Sequence, residues 1–405
     1  MGEADVVTMD ARVSQQLSTL LSSVRRHLHM HPEVGFQEHA TSAFIRRVLE
    51  MHGMVPGPPI AGTGVYVDIV GSPTGRAVGY RADIDALPIQ DEKTVPYAST
   101  VPGVAHLCGH DAHTAVAIGV AVLLHELRDT LEGTARIFFQ PNEEGNPSGA
   151  PRMIEAGILE GLEAVYAMHV DPTLEVGKIG LISGAISAAA DQFRITIRGG
   201  STGHSSRPHE HVDTVWIAVQ VANALYQMLG RITDARSPAV LTICRLRGGE
   251  AYNVIPAAVE MGGTLRSTDP AGRDRIKGHI RTIAESIASL YGAQAEVNIL
   301  SGSPAVLNDR RLVAHVDECA RRLIGPDAVY RVPRPSMGSE DFAHYVQHIP
   351  GALVRLGTSS GPDTRHTLHD GLFDLDEASL APGARLMAQV ILGHLDQGVL
   401  APDDV

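Results

Sequence analysis

Four short polar segments in this chain carry side chains that bind cations or move protons. Cys108-Gly109-His110-Asp111-Ala112-His113 offers a thiol and imidazoles, donors suited to zinc and similar metals. The spacing of Cys108 and His110 lets an irregular loop aim both at one point. A buried free cysteine beside a helix-capping aspartate would give the same short pattern. Gln140-Pro141-Asn142-Glu143-Glu144-Gly145 sets two carboxylates side by side, directly after the apolar run ARIFF. Adjacent carboxylates repel unless something positive lies between them. A cation bound by one would leave the other free as a base; a solvated acidic turn is the plainer alternative. His169 closes the apolar run AVYAM and reads equally well as a core residue. His366-Thr367-Leu368-His369-Asp370 follows ALVRLG, and either histidine could be a ligand with the other behind it. A fifth segment, Arg81 to Pro88, places Asp83 and Asp85 where they could orient a ligand imidazole or cap a helix.

These segments share a topological position: each lies at or near the end of an apolar strand pattern. The pattern predicts helices over about 14–30, from about 40 and from about 111, and strands over 64–70, 76–80, 135–139 and 164–168. Such alternation implies an α/β layered sheet, and open α/β sheets gather ligands at the carboxyl ends of their strands. The style changes near residue 189. Strands over 192–198, 239–247, 257–266 and 293–300 and helices over 212–229 and 273–291 give the order β-α-β-β-α-β of a ferredoxin-like domain. After Ser303-Pro304 the α/β style resumes, with helices near 309–323 and 377–395 and a strand over 352–356. The expected division is one discontinuous α/β domain, 1–188 and 302–405, interrupted by an insert at 189–301.

A chain of 405 residues is about two domains long. With 46 acidic against 33 basic residues the net charge is −13, so a phosphate backbone would be repelled and nucleic-acid binding is excluded. The longest apolar run, Ala115 to Leu124, is too short to cross a bilayer. The opening MGEADVVTMDARV lacks the basic-then-apolar order of a secretion signal. Gly2 is followed by Val6 where a myristoylation signal wants Ser or Thr. A cytoplasmic protein is expected. Cys108, Cys244 and Cys319 are too sparse for a disulfide framework.

In order, RRHLHMHPEVGFQE, RADIDALPI, CGHDAHT, FQPNEEG, MHV, GHSSRPH, NVIP, GTLRSTD, MGSEDF and LHDGLFDLDE span residues 25 to 377. Together they resemble the dinuclear amidohydrolase family of hippurate hydrolase, auxin-conjugate hydrolase and N-acyl-amino-acid amidohydrolase. The resemblance implies an open mixed sheet with helices on both faces as the catalytic domain. The ferredoxin-like insert would serve as lid and dimerisation domain. It implies two divalent metal ions, manganese or zinc with cobalt or nickel as alternatives. They would be held by Cys108, His110, Glu144, His169 and His369, with Cys108 bridging. Glu143 would be the general acid/base. His204 matches a histidine that reaches into a partner subunit's active site, and Asn253 and Arg266 match residues that hold a substrate carboxylate. A homodimer, or a tetramer, is implied. Asn142 (for alanine), Ser205-Ser206 (for Gly-Ala) and Asp370-Gly371 (for Ser/Asn-Pro) depart from the family's usual pattern and bear on acyl-group preference.

The expected activity is metal-dependent hydrolysis of an amide in N-acyl-amino acids or related small substrates with a free carboxylate. A carboxypeptidase or dipeptidase would use the same chemistry. A non-catalytic metal- or peptide-binding protein has no need of a free Glu143 beside a ligand, and a structural zinc site usually draws on CxxC pairs that this sequence lacks. A ligand thiolate at Cys108 would be reactive once its metal is removed.

Overall fold

The computed structural model describes residues 11–400, so the opening segment with Gly2 and Val6 lies outside the described residues. The chain separates into two compact units. One comprises residues through Gly184, Leu307–Arg334 and the segment from Asp341 on; the other comprises Ala185–Val306 and Pro335–Glu340.

The first unit is built on a seven-stranded mixed sheet. Its order is Val65–Val70, Gly133–Gln140, Arg76–Asp83, Ala164–Glu175, Gly351–Ser359, Ile179–Leu181, Val329–Arg331. The middle strands, from Gly133–Gln140 to Gly351–Ser359, are mutually parallel. Their carboxyl ends therefore lie along one edge, with Asp83 opposite Gln140 and His169 opposite Arg355. The apolar run 115–124 lies within the helix His110–Glu126, in which every residue from His110 to Leu124 is buried. A helix apolar all round belongs inside a core, and this one packs against Ala11–Met30 and Leu380–Gln397. Among the described residues no helix is long and apolar enough to cross a membrane.

Sequence pattern and structure differ mainly at element ends. The strand at 164 continues to Glu175 and the one at 352 to Ser359, because they pair with each other beyond the apolar run. Helix Pro270–Leu290 starts three residues before the apolar periodicity does. There Asp269 accepts hydrogen bonds from the Ala271 and Gly272 amides, and Pro270 occupies the first turn.

The second unit holds a four-stranded antiparallel sheet in the order Gln294–Ser301, Ala189–Arg198, Ala258–Ser267, Ala239–Arg247. Burial alternates along Ala189–Arg198, as a strand with one covered face requires. The covered side, with Phe193, Ile195 and Ile197, shares a core with Ile217, Val221 and Leu225 of helix Thr214–Ile232 and Ile276 and Ile280 of Pro270–Leu290. In chain order the major elements are strand, helix, two strands, helix, strand.

A buried ionic network ties the first unit's termini to its central helix. Arg25 is fully buried and donates to Asp111 (3.0 Å), Asp374 (2.5 Å) and Glu377 (3.2 Å). His29 lies 2.7 Å from Asp111 and 3.3 Å from Asp91 through its two ring nitrogens. Burial alone would lower the pKa of His29, but Asp111 and Asp91 outweigh it and raise it. Removing one partner from such a network leaves uncompensated charge in a low dielectric. Arg25→Ala is expected to cost about 3–5 kcal/mol of stability, read from the denaturant midpoint. A loss under about 1 kcal/mol, the size typical of exposed pairs, would show that the network is dispensable.

Candidate metal centre

Gly109 sets the geometry of the first donor pair. It precedes helix His110–Glu126 with φ +83°, and a Cβ there would lie 2.4 Å from Val170 Cγ2. Only glycine accepts both the left-handed backbone and that approach. The kink turns the Cys108 and His110 side chains towards the end of strand Ala164–Glu175, where Cys108 Sγ lies 3.6 Å from His169 Nε2.

Hydrogen bonds assign the tautomers. His110 Nδ1 lies 2.9 Å from the Asp85 carbonyl and 3.2 Å from Asp85 Oδ1, so it carries a hydrogen. His169 Nδ1 donates to the Val170 carbonyl at 2.8 Å. Both Nε2 atoms are thus left to act as donors to a cation. His110 Nε2 is buried and has no hydrogen-bond partner, and a buried polar atom of that kind requires explanation. His113 is different: its Nδ1 donates to Asp83 at 2.6 Å, while its Nε2 accepts the Val170 amide at 2.9 Å. Both of its nitrogens are committed.

The remaining donors come from two loops. Glu144 follows strand Gly133–Gln140, and its amide donates to Asp85 Oδ2 at 3.1 Å. Asp85 therefore orients His110 and the Glu143-Glu144 turn together. His369 has φ +69°, its amide donates to the Leu107 carbonyl at 2.7 Å, and its Nε2 lies 3.0 Å from Glu144 Oε1. His366 instead faces Asp370, at 3.8 Å. The possible metal-holding groups include Cys108, His110 and His169, and also Cys108, Glu144 and His369, the donor atoms of each lying within 4.8 Å of one another. His110, Glu143 and Glu144 form a further group. These clusters, with the orphaned His110 nitrogen, fit a divalent cation.

Burial, with Glu144 and Glu143 adding to it, pushes the Cys108 thiol well above its ordinary value against the pull of His110. Burial works to lower His110, yet Asp83, Asp85 and Cys108 hold it well above the usual imidazole value. Glu144 is pulled down by His369 and His110 despite its burial. Burial thus favours the protonated thiol at Cys108 in the metal-free site.

The second unit carries the other residues singled out from the sequence. His204 pairs with Val254 between short strands, and the Ser205 amide donates to the Asn253 carbonyl at 3.0 Å. His204 and Asn253 are thus neighbours, and both are exposed. Ser206 donates its amide to His204 Nδ1 at 3.1 Å, with its hydroxyl at 2.8 Å. That bond leaves the ring hydrogen on Nε2. Arg266 is half-buried on strand Ala258–Ser267, opposite Ala190 and Val240, and no acidic side chain among the described residues pairs with it.

Sequence reasoning gave no role to Arg81, Gln140 and Asp341, and took Ser206 only as a departure from the family's pattern. Arg81 is buried and donates to Gln140 Oε1 (2.9 Å), Asp83 (2.7 Å) and Asp341 (2.7 Å). The Asp341 amide donates to Glu143 Oε1 at 3.3 Å. The only available signal was that RADIDALP, FQPNEEG and MGSEDF each carry a polar residue beside the conspicuous ones.

Residues 79–393 match the model of peptidase family M20/M25/M40. The chain belongs to that family. Its members hydrolyse amide bonds of small substrates with metal ions, and so does this M20 chain. It is 38% identical over 382 residues to an N-acetyl-L-cysteine deacetylase of Bacillus subtilis, covering 93% of this chain and 89% of that one. It is 35% identical to thermostable carboxypeptidase 2 of Saccharolobus solfataricus, covering 91% and 94%. A crystal structure of a Bacillus subtilis dinuclear metal binding peptidase from the M20 family matches with TM-score 0.84 and 38% identity, over 94% of this chain and 99% of that one.

In chelated protein near neutral pH, a thiol reagent should modify exposed Cys244 before buried Cys108. The reactive form is the thiolate, so Cys108 labelling should rise with pH. Mass mapping of the labelled peptides checks this; faster labelling at Cys108 than at Cys244 would mean that the apo site holds a thiolate.

Proposed function

We propose that the hydrolysis is directed at N-acyl-amino acids, or related small amides bearing a free carboxylate, and that it uses two divalent ions. The observation that carries this reading is the pair of three-donor clusters sharing one sulfur: Cys108 with His110 and His169, and Cys108 with Glu144 and His369. Cys108 would bridge the ions. A mixed sulfur, nitrogen and oxygen set suits manganese or zinc, with cobalt or nickel able to substitute. When bound, the metal pair polarises the amide carbonyl and acidifies the attacking water.

The chain's own groups then divide the work. Glu143, 4.0 Å from His110 Nε2 through one oxygen and held by the Asp341 amide through the other, takes the proton from water and hands it to the leaving amine. His204, with its hydrogen on Nε2, would donate to the oxyanion in the partner subunit's site. Arg266 and Asn253 hold the substrate carboxylate, Arg266 through a charge-assisted, bidentate contact. The relation to the deacetylase favours an N-acyl group; the relation to the carboxypeptidase keeps unblocked peptides as the second reading.

In this reading residues 1–188 and 302–405 form the catalytic domain, and 189–301 form a ferredoxin-like lid and dimerisation domain. Val215, Trp216, Val219 and Tyr226 on helix Thr214–Ile232 are exposed, as are Val240 and Leu246 on the edge strand Ala239–Arg247. Uncovered apolar surface beside an unpaired strand edge supports a homodimer, or a tetramer built from it. A cytoplasmic location fits the reduced cysteines.

Glu143→Gln should lower kcat about 100- to 10,000-fold with metal content unchanged, whereas Glu144→Gln should lose metal. Amine release from N-acyl-amino acids and metal analysis of the same samples check both. Near-normal kcat in Glu143→Gln would place the base elsewhere.

Arg266→Ala should weaken substrates with a free α-carboxylate by roughly 2–3 kcal/mol in kcat/KM and spare the matching amides. Paired acid and amide substrates give the comparison. An equal loss for both would show that Arg266 only supports its strand.

A further inference from the structure

The segment MGSEDF supplies no metal donor to the clusters sharing Cys108, yet one of its residues is bonded as firmly as any in the site. Asp341 is 1% exposed, at the point where the chain re-enters the first unit. Its Oδ1 accepts from Arg81 Nη2 at 2.7 Å. Its Oδ2 accepts from Gln140 Nε2 at 2.7 Å and from the Ala150 amide at 3.0 Å. Gln140 is fixed in turn, because its Oε1 accepts from Arg81 Nε at 2.9 Å and from the Tyr345 hydroxyl at 3.0 Å. Outward from this clamp, the Asp341 main-chain amide donates to Glu143 Oε1 at 3.3 Å. The other Glu143 oxygen lies 4.0 Å from His110 Nε2. One oxygen is thus held from the side of the fold while the other faces the metal cluster.

We infer that Asp341, locked by Arg81 and Gln140, is a positioning residue for Glu143: it fixes the rotation of the carboxylate so that its second oxygen meets the attacking water. The inference rests on the reading of Glu143 as the base. A glutamate side chain has several rotatable bonds, and a half-buried one at a turn would otherwise sample many orientations. A misplacement of about 1 Å at such a group costs up to about 100-fold in rate. The side chain of Asp341 sets the position of its own amide, so its charge matters although it touches no reactant. Donors from Arg81, Gln140 and Ala150 converge on its two oxygens, and an amide in its place would turn a donor of its own against at least one of them.

The test is a double-mutant cycle on the metal-loaded enzyme with an N-acyl-amino acid that it turns over. Asp341→Asn should lower kcat about 10- to 100-fold and leave KM and metal content near wild type. In the Glu143→Gln background the same change should cost less than about 2-fold, because the group it positions is already disabled. Tyr345→Phe removes only the far end of the clamp and should give a smaller kcat loss with the same split. It serves as the second variant if Asp341→Asn does not fold. Equal losses with and without Glu143 would overturn the inference and make Asp341 a structural residue. So would unchanged kcat in both variants, or a loss that follows metal content. Failure of Glu143→Gln itself to lower kcat would instead overturn the reading of Glu143 as the base.

Discussion

The fold depends on keeping buried carboxylates compensated around one sheet edge. Asp83, Asp85, Asp111 and Asp341 are all buried near the carboxyl ends of the parallel strands. An isolated carboxylate in such a place would be prohibitively unstable. Two arginines make the arrangement possible. Arg25 holds Asp111, Asp374 and Glu377; Arg81 holds Asp83 and Asp341. Both are essentially without exposure, and Arg rather than Lys suits the task because its planar fork satisfies several partners at fixed angles. The donor cluster sits between these anchors. His110 and Asp111 are neighbours at the start of one helix, and Asp83 lies behind His113.

This arrangement explains why residues scattered along the chain meet. A parallel sheet delivers strand ends to one edge, but strand ends alone do not fix side-chain directions to a fraction of an ångström. Asp85 does part of that work by touching both His110 and the Glu144 amide. The left-handed backbone at Gly109 and at His369 does more, since each turns a donor out of the line its neighbours would impose. For His369 that conformation costs on the order of 1–3 kcal/mol, and the hydrogen bond from its backbone N–H to the Leu107 carbonyl holds it in place.

That Cys108, His110, Glu144, His169 and His369 could cluster was legible in the sequence, because their types are rare in combination and most lie at strand ends marked by apolar periodicity. The buried helix was legible for the same reason: Ala115 to Leu124 is too apolar for a surface. The short strands Ile179–Leu181 and Val329–Arg331 were not, since three residues show no period. Arg81, Gln140 and Asp341 were not legible because their meaning lies in contacts across as many as 260 positions. Asn142 looked like a departure that would alter specificity. It occupies a φ of +51°, which asparagine tolerates better than alanine, with its backbone N–H on Glu38 and its side chain on the Pro147 carbonyl. Ser206, a departure from the family's pattern, hydrogen-bonds His204.

The protonation of the metal-free cluster follows from the same compensation. Carboxylates crowd the site, and Arg81 is committed to Asp83 and Asp341. Burial favours the proton on Cys108, and Asp83 and Asp85 favour one on His110. A cation entering this site would therefore exchange with protons rather than add to an empty charge balance. The same feature gives the site its purpose. An edge stocked with more negative charge than its arginines can neutralise is unstable as a surface and costly as a core, but it is well suited to hold divalent ions at fixed points.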